Sequence, residues 1–224
     1  MRIKILGSHN ALVAQVLAAA LAMVHSLAFG ASSTFDTGMD GWTQTSGVSQ
    51  FGTGGNPGGY LRFDDQANGG LGTGGRIYAP AAYLGDWISA YGSDGLLSLD
   101  YQLQRQATID PGPVWIQIFG NGREIARNLP LFSGLNQWET FTISFDSNTW
   151  AKAADTVVAD VLSNVTEFRI NMFAGTSADE ITAIDNVWVR AAPREPPPSV
   201  PEPGTLALFG LGIAGLGIAR RAKK

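Results

Sequence analysis

The chain has no cysteine and two histidines, His9 and His25, both within the first twenty-five of its 224 residues. If that opening segment is removed, nothing downstream can form a Cys/His nucleophilic pair, a Ser-His-Asp triad or a zinc site built on Cys or His. A cysteine-free domain is also indifferent to the redox state of its compartment, so its stability must come from packing and from any hard cation it holds. Basic residues are scarce as well. Between residues 32 and 200, nine Lys and Arg stand against eighteen Asp and Glu, because six of the fifteen basic residues lie at the two ends. A domain carrying that excess of acid is excluded from neutralising phosphates along a nucleic acid. Calcium or neutral sugars suit it better.

What is present at the ends is a pair of address labels. Arg2 and Lys4 precede an apolar stretch running from Ala11 to Val24, and Ser26-Leu27-Ala28 supplies the small residues of a signal-peptidase site. The segment is apolar on nearly all faces, which argues for a signal helix over residues 1–31 and against an amphipathic helix of a folded domain. At the other end, Val200-Pro201-Glu202-Pro203 introduces fifteen uncharged residues, 205–219, followed by Arg220, Arg221, Lys223 and Lys224. Fifteen helical residues rise roughly 22 Å, barely enough for a short transmembrane helix in a hydrocarbon core of roughly 30 Å. The basic cluster would stay cytoplasmic, leaving the preceding domain on the far side of the membrane. Gly210, Gly212 and Gly215 match a dinucleotide-binding spacing, but the chain ends nine residues on, without the following helix and distal acid that such a site requires.

The proline-flanked glutamate, weak apolar run and basic end, in that order, resemble the PEP-CTERM sorting signal of Gram-negative bacteria. The resemblance implies processing by an exosortase at Pro201-Glu202-Pro203, transient anchoring in the inner membrane, and delivery to the cell surface, the outer envelope or an extracellular matrix. An ordinary C-terminal membrane anchor is the alternative.

The intervening domain, residues 32–190, is long enough for one core. Its apolar residues alternate: Leu97, Leu99, Tyr101 and Leu103; Val114, Ile116 and Ile118; Phe141, Ile143 and Phe145; Phe168, Ile170 and Met172. Period two with glycine-rich turns predicts an all-β antiparallel sandwich in which two sheets bury these faces against each other. Glycine is dense over 52–59 and 69–75, where the backbone must take positive φ or pass close to something. Val158, Val161, Leu162 and Val165 have helical spacing, which predicts one short helix over residues 155–163 with Asp155 as its N-cap. The prolines of residues 191–200 read as a stiff linker between the domain and the sorting and anchor segment, 201–224.

Several short pieces in order, Phe35-Asp36, Gly41-Trp42, Gly55-Asn56-Pro57-Gly58-Gly59-Tyr60-Leu61, Asp64-Asp65, Leu84-Gly85-Asp86, Phe168-Arg169-Ile170 and Asp185-Asn186-Val187, resemble the laminin IV (laminin B) domain. The resemblance implies a jelly roll similar to galactose-binding-like and carbohydrate-binding modules, with an extracellular, non-enzymatic role. It also implies a structural Ca²⁺ where the first and last strands meet, with Asp36 and Asp185 as candidate ligands. Against that, Asp185 can cap a turn while Asp36 is a solvated acid. Asp64 and Asp65, adjacent on a strand, point to opposite faces and make a poor cation pair. Trp115 and Trp138 fall out of phase with their apolar neighbours and should point outward. Tyr83 and Trp87, in a loop segment, are the candidate ligand platform, with burial in the core as the competing assignment.

These readings point to an exported, non-catalytic surface or matrix protein that binds or organises exopolysaccharide in a biofilm. Its processing partners are signal peptidase and an exosortase. A secreted glycoside hydrolase or lyase, which needs only two suitably spaced carboxylates, is one alternative. A structural adhesion protein with protein partners is another.

Overall fold

The computed structural model describes residues 30–66, 74–105, 113–172 and 179–193. The expected signal helix, most of the second glycine-rich loop, most of the proline linker and the whole sorting tail, including Val200 to Pro203 and Arg220 to Lys224, lie outside the described residues. Among the described residues no helix is long and apolar enough to cross a membrane.

Among the described residues twelve strands form two antiparallel sheets. Sheet A contains β1 (Ala31–Ser33), β3 (Val48–Gly55), β4 (Gly58–Asp64), β6 (Leu96–Arg105), β9 (Glu139–Ser144) and β12 (Ile181–Arg190), in the order β3-β4-β12-β6-β9 with β1 also on β12. Sheet B contains β2 (Thr43–Gln44), β5 (Arg76–Tyr78), β7 (Trp115–Gly120), β8 (Arg123–Asn128), β10 (Ala151–Lys152) and β11 (Val165–Asn171), in the order β10-β8-β7-β11-β5-β2. The alternating residues behave as their period demands. Leu97, Leu99 and Tyr101 of sheet A and Ile116, Ile118, Phe168 and Ile170 of sheet B share one buried core. Each such side chain contributes about 1.5–3 kcal/mol when withdrawn from water.

Strand β12 organises sheet A. Its first half pairs with β4 and its last residues pair with β1, so two strands share one edge of it. A bulge lies where the pairing register with β6 shifts between Asp185 and Trp188, and Asn186 takes a φ of +48°. The bulge leaves Ile184 and Val187 both in the core, while Asp185 faces outward. Because β1 occupies the place beside β12 that an extended β4 would take, the tip of the β3–β4 hairpin must lift off the sheet. It does so over a cis Asn56–Pro57 bond. The tip then packs so tightly that a Cβ on Gly59 would sit 2.2 Å from the Phe35 carbonyl oxygen.

Two helices of five residues complete the domain. Helix α1 (Trp87–Tyr91) is capped by Asp86, whose carboxylate accepts the Ser89 N–H at 2.8 Å. Helix α2 (Val158–Leu162) lies on β7 and β8, close enough that a Cβ on Gly120 would meet the Val161 carbonyl oxygen at 2.1 Å. It is shorter than predicted, and its N-cap is Val157, not Asp155. The reason is local: the Thr156 N–H closes a turn onto the Ala153 carbonyl at 3.0 Å, and Asp155 is drawn outward into an ion pair with Arg123 at 2.5 Å.

Candidate functional site

Tyr83 and Trp87 are not a surface platform. Each is 2 % exposed. A 3-10 turn (Ala81–Tyr83) and helix α1 insert them into an aromatic chain in which Trp42 meets Tyr83 at 5.1 Å and Phe168 at 5.4 Å, and Trp87 meets Phe168 at 5.7 Å and Phe145 at 5.4 Å. The Tyr83 hydroxyl donates to the Val187 carbonyl at 2.8 Å and contacts the Ser33 hydroxyl at 3.0 Å. Burial raises its pKa well above the ordinary phenol value. A glycine-flanked segment read as a loop is therefore a plug for the sandwich, and its aromatics have no face left for a ligand.

The expected Asp36 and Asp185 do converge, on opposite sides of the lifted hairpin tip. Asp36 Oδ1 accepts the Gly59 N–H at 2.8 Å and its Oδ2 accepts the Thr34 hydroxyl at 2.9 Å. Asp185 Oδ2 accepts the Asn56 N–H at 2.6 Å and Oδ1 accepts the Asn186 N–H at 2.7 Å. Each of the four carboxylate oxygens accepts one N–H or O–H hydrogen bond from the chain itself, which holds the two acids in place with no cation between them. Among the described residues no cluster of three or more acids or histidines is arranged to hold a metal. The geometry is a hydrogen-bonded clip. Asn186 Nδ2 extends it by donating to the Asn56 carbonyl and, at 2.8 Å, to Asp100, which also accepts the Asn56 amide at 3.1 Å and the Thr140 hydroxyl at 2.6 Å.

The clip carries uncompensated charge. Asp185 has no exposed surface, and burial pushes its carboxyl up to about 6, with Asp100 and Asp36 adding like-charge repulsion against the pull of its two N–H donors. Asp36, which is exposed, lies below the ordinary carboxylate value because of the Gly59 N–H.

Above this bed lies the aromatic surface that the sequence reading missed. On the outer face of sheet A, cross-strand pairing sets Phe51 opposite Tyr60, Arg62 opposite Ala183 and Ala183 opposite Gln102. Thr140 stands opposite Asp100. Phe51 stacks on Tyr60 with ring centroids 5.4 Å apart, and the Trp138 ring meets Tyr60 edge-on at 5.8 Å. Trp138 precedes β9 and Tyr60 is on β4, so their contact bridges β12 and β6. The small side chain of Ala183 lies in the row between them, and the Trp138 indole N–H reaches the Gly54 carbonyl at 3.3 Å. Phe51 is 37 % exposed and Trp138 half-buried, while Tyr60 is wedged beneath them. Beside Phe51 a shallow cavity of about 270 Å³ is lined by Ser49, Arg62 and Asp64. Trp115, also expected to face outward, does so on sheet B, where it is half-buried.

Two polar groups complete the outer face. Gln104 donates to Gln102 at 2.8 Å, and Arg62 pairs with Asp64 at 2.5 Å. Asp65, the first residue past the end of β4, is buried. The outer face of sheet A thus carries aromatic rings together with amide, hydroxyl and guanidinium groups. That combination suits a ligand with apolar C–H faces and many hydroxyls.

Comparison with known proteins agrees with this architecture. Residues 199–223 match the PEP-CTERM protein-sorting motif, the mark of an exported protein held transiently by its C-terminus. An agarase of solved structure shares the fold at 14 % identity and a TM-score of 0.51 over 74 % of this chain, which spans about a quarter (26 %) of that enzyme. The L4b domain of human laminin alpha-2 matches 59 % of this chain and 80 % of its own at 15 % identity and a TM-score of 0.47. The family 11 carbohydrate-binding module of a Clostridium thermocellum cellulase matches 74 % of this chain and 96 % of its own at 16 % identity and 0.48. Among curated proteins none matches in sequence. Residues 77–202, more than half of the chain, match the model of the Laminin B (Domain IV) family, and the protein belongs to that family.

Proposed function

We propose that this exported protein is a non-catalytic polysaccharide-binding domain, residues 32–190, followed by a proline-rich spacer, 191–200, and a sorting segment, 201–224, that an exosortase processes. It grips extracellular polysaccharide on the outer face of sheet A. The observation that carries the reading is the Phe51, Tyr60 and Trp138 cluster: on the outer face of sheet A, Phe51 and Trp138 reach solvent and lie against the buried Tyr60, over a bed of amide and hydroxyl groups. Rings in such a place do nothing for the core, and stacking on sugar C–H faces is what they are suited to. Final deposition in a surface or matrix layer follows from the export and the binding together.

The test is affinity electrophoresis of the exported protein through gels containing soluble polysaccharides. Phe51→Ala and Trp138→Ala should each leave the thermal transition within a few degrees of the parent while retardation drops about tenfold or more. Full retardation in both variants would remove the outer face of sheet A as the binding site.

A further inference from the structure

We infer that the sheet-A face selects neutral polysaccharide chains and turns away acidic ones. The inference rests on the binding reading above and adds the charge class of the ligand. It comes from the state of the ionised groups on that face.

The cations beside the aromatic cluster are already occupied, and Arg190, at the far end of β12 on the same face, lies over the Trp188 ring at 3.8 Å. Arg62 pairs with Asp64 at 2.5 Å, and Arg105 pairs with Asp179 at 2.6 Å and approaches Asp64 at 3.7 Å. An incoming uronate or sulfate would have to displace a carboxylate from a formed pair. The anions there are not all matched. Asp100 and Asp185 lie in the row of Tyr60, bonded to amide, backbone and hydroxyl donors and, among the described residues, in no salt bridge. Burial is the largest cause of the raised proton affinity of Asp185, and Asp100 and Asp36 add like-charge repulsion to it. An acidic chain laid across Phe51 and Trp138 would therefore ride over two carboxylates, with the neighbouring guanidiniums of Arg62 and Arg105 already paired. A neutral chain meets aromatic faces and hydrogen-bonding groups without that opposition. The groups facing the bed are Asp36 and the Asn56 hairpin tip from one side, Asn186 from β12, Asp100 from β6 and Thr140 from β9. None of them is cationic.

Matched polymers separate charge from backbone structure: hydroxyethyl cellulose against carboxymethyl cellulose, and carboxyl-reduced against native alginate and pectin. At low ionic strength the exported protein should be retarded more strongly by each neutral member than by its acidic counterpart. Asp64→Asn releases Arg62, while Arg105 keeps Asp179, and should raise retardation by the acidic members about two- to fivefold, an increase that added salt abolishes. Retardation by acidic members equal to or above that of neutral ones overturns the inference. If that retardation is lost in Phe51→Ala, the site stands and the charge reading alone falls. Retardation by no polymer in the set, or retardation that Phe51→Ala leaves intact, defeats the binding reading and the inference with it.

Discussion

Asp185 makes the stability of this domain depend on pH in a direction opposite to that of an ordinary paired carboxylate. Its folded-state pKa is raised from 3.8 to about 6, first by burial and then by Asp100 and Asp36, with the Asn56 and Asn186 N–H groups working the other way. Between these two values the folded state holds more protons than the unfolded one, so stability falls as pH rises through the window. At about 1.4 kcal/mol per pH unit the contribution lost by pH 7.5 is about 3 kcal/mol. Asp185→Asn removes the titration. The amide keeps one acceptor for the two N–H donors, which costs about 1 kcal/mol at every pH. The variant should therefore be less stable than the parent by about 1 kcal/mol near pH 3.5, and more stable by about 2 kcal/mol at pH 7.5. Urea unfolding of both proteins across that range, at unchanged m-value, reads the difference directly. For a domain of this size the swing is worth about 6–12 °C in Tm. A variant destabilised by the same amount at every pH, or one whose deficit deepens as pH rises, would refute the reasoning.

The corrected assignment of Tyr83 and Trp87 predicts stability effects. Tyr83→Phe strands the Val187 carbonyl and should cost about 1–3 kcal/mol, and Trp87→Ala about 3–5 kcal/mol, in denaturant midpoints; polysaccharide retention should survive wherever the fold does. Gly59→Ala drives a methyl group into the Phe35 carbonyl oxygen and should cost at least about 1–3 kcal/mol, visible as a lower midpoint and weakened binding as the hairpin tip shifts. Because Asp36 and Asp185 are held by N–H donors, EGTA should leave the melting temperature unchanged, and added calcium should not raise it. A chelator-induced drop of several degrees would restore the metal.

The fold was largely legible because its strands write period two plainly. Leu97, Leu99 and Tyr101 all face inward, as their alternation requires, and Trp115 and Trp138 face out. The short helices were harder. Helix α1 is five residues between Gly85 and Gly92, too brief for a periodic signal, and its one local mark is the Asp86 and Ser89 cap spacing. The start of α2 was misplaced because Asp155 is a good N-cap by composition, yet a tertiary partner, Arg123, claims its carboxylate. Local preference yielded to a contact thirty-two residues away.

The proposed binding surface was legible only in Trp138, whose phase sets it outward; as a whole it belongs to no segment. Phe51, Tyr60 and Trp138 carry no shared spacing, and each alone is an unremarkable aromatic near a glycine or a polar run. They meet because β1 takes the edge of β12 beside the hairpin tip, because Asp185, outward by alternation with Ile184, accepts the Asn56 N–H of that tip, and because Trp138 reaches Tyr60 across β12 and β6. Three features recorded separately in the sequence, a glycine-rich hairpin, an Asp-Asn-Val strand and an out-of-phase tryptophan, are thus parts of one construction. The glycines permit the close approach, the acid holds it, and the aromatic rings occupy the face that results. The same acids that hold the tip leave the bed negative, so how this surface is held together and what charge of ligand it admits have one cause.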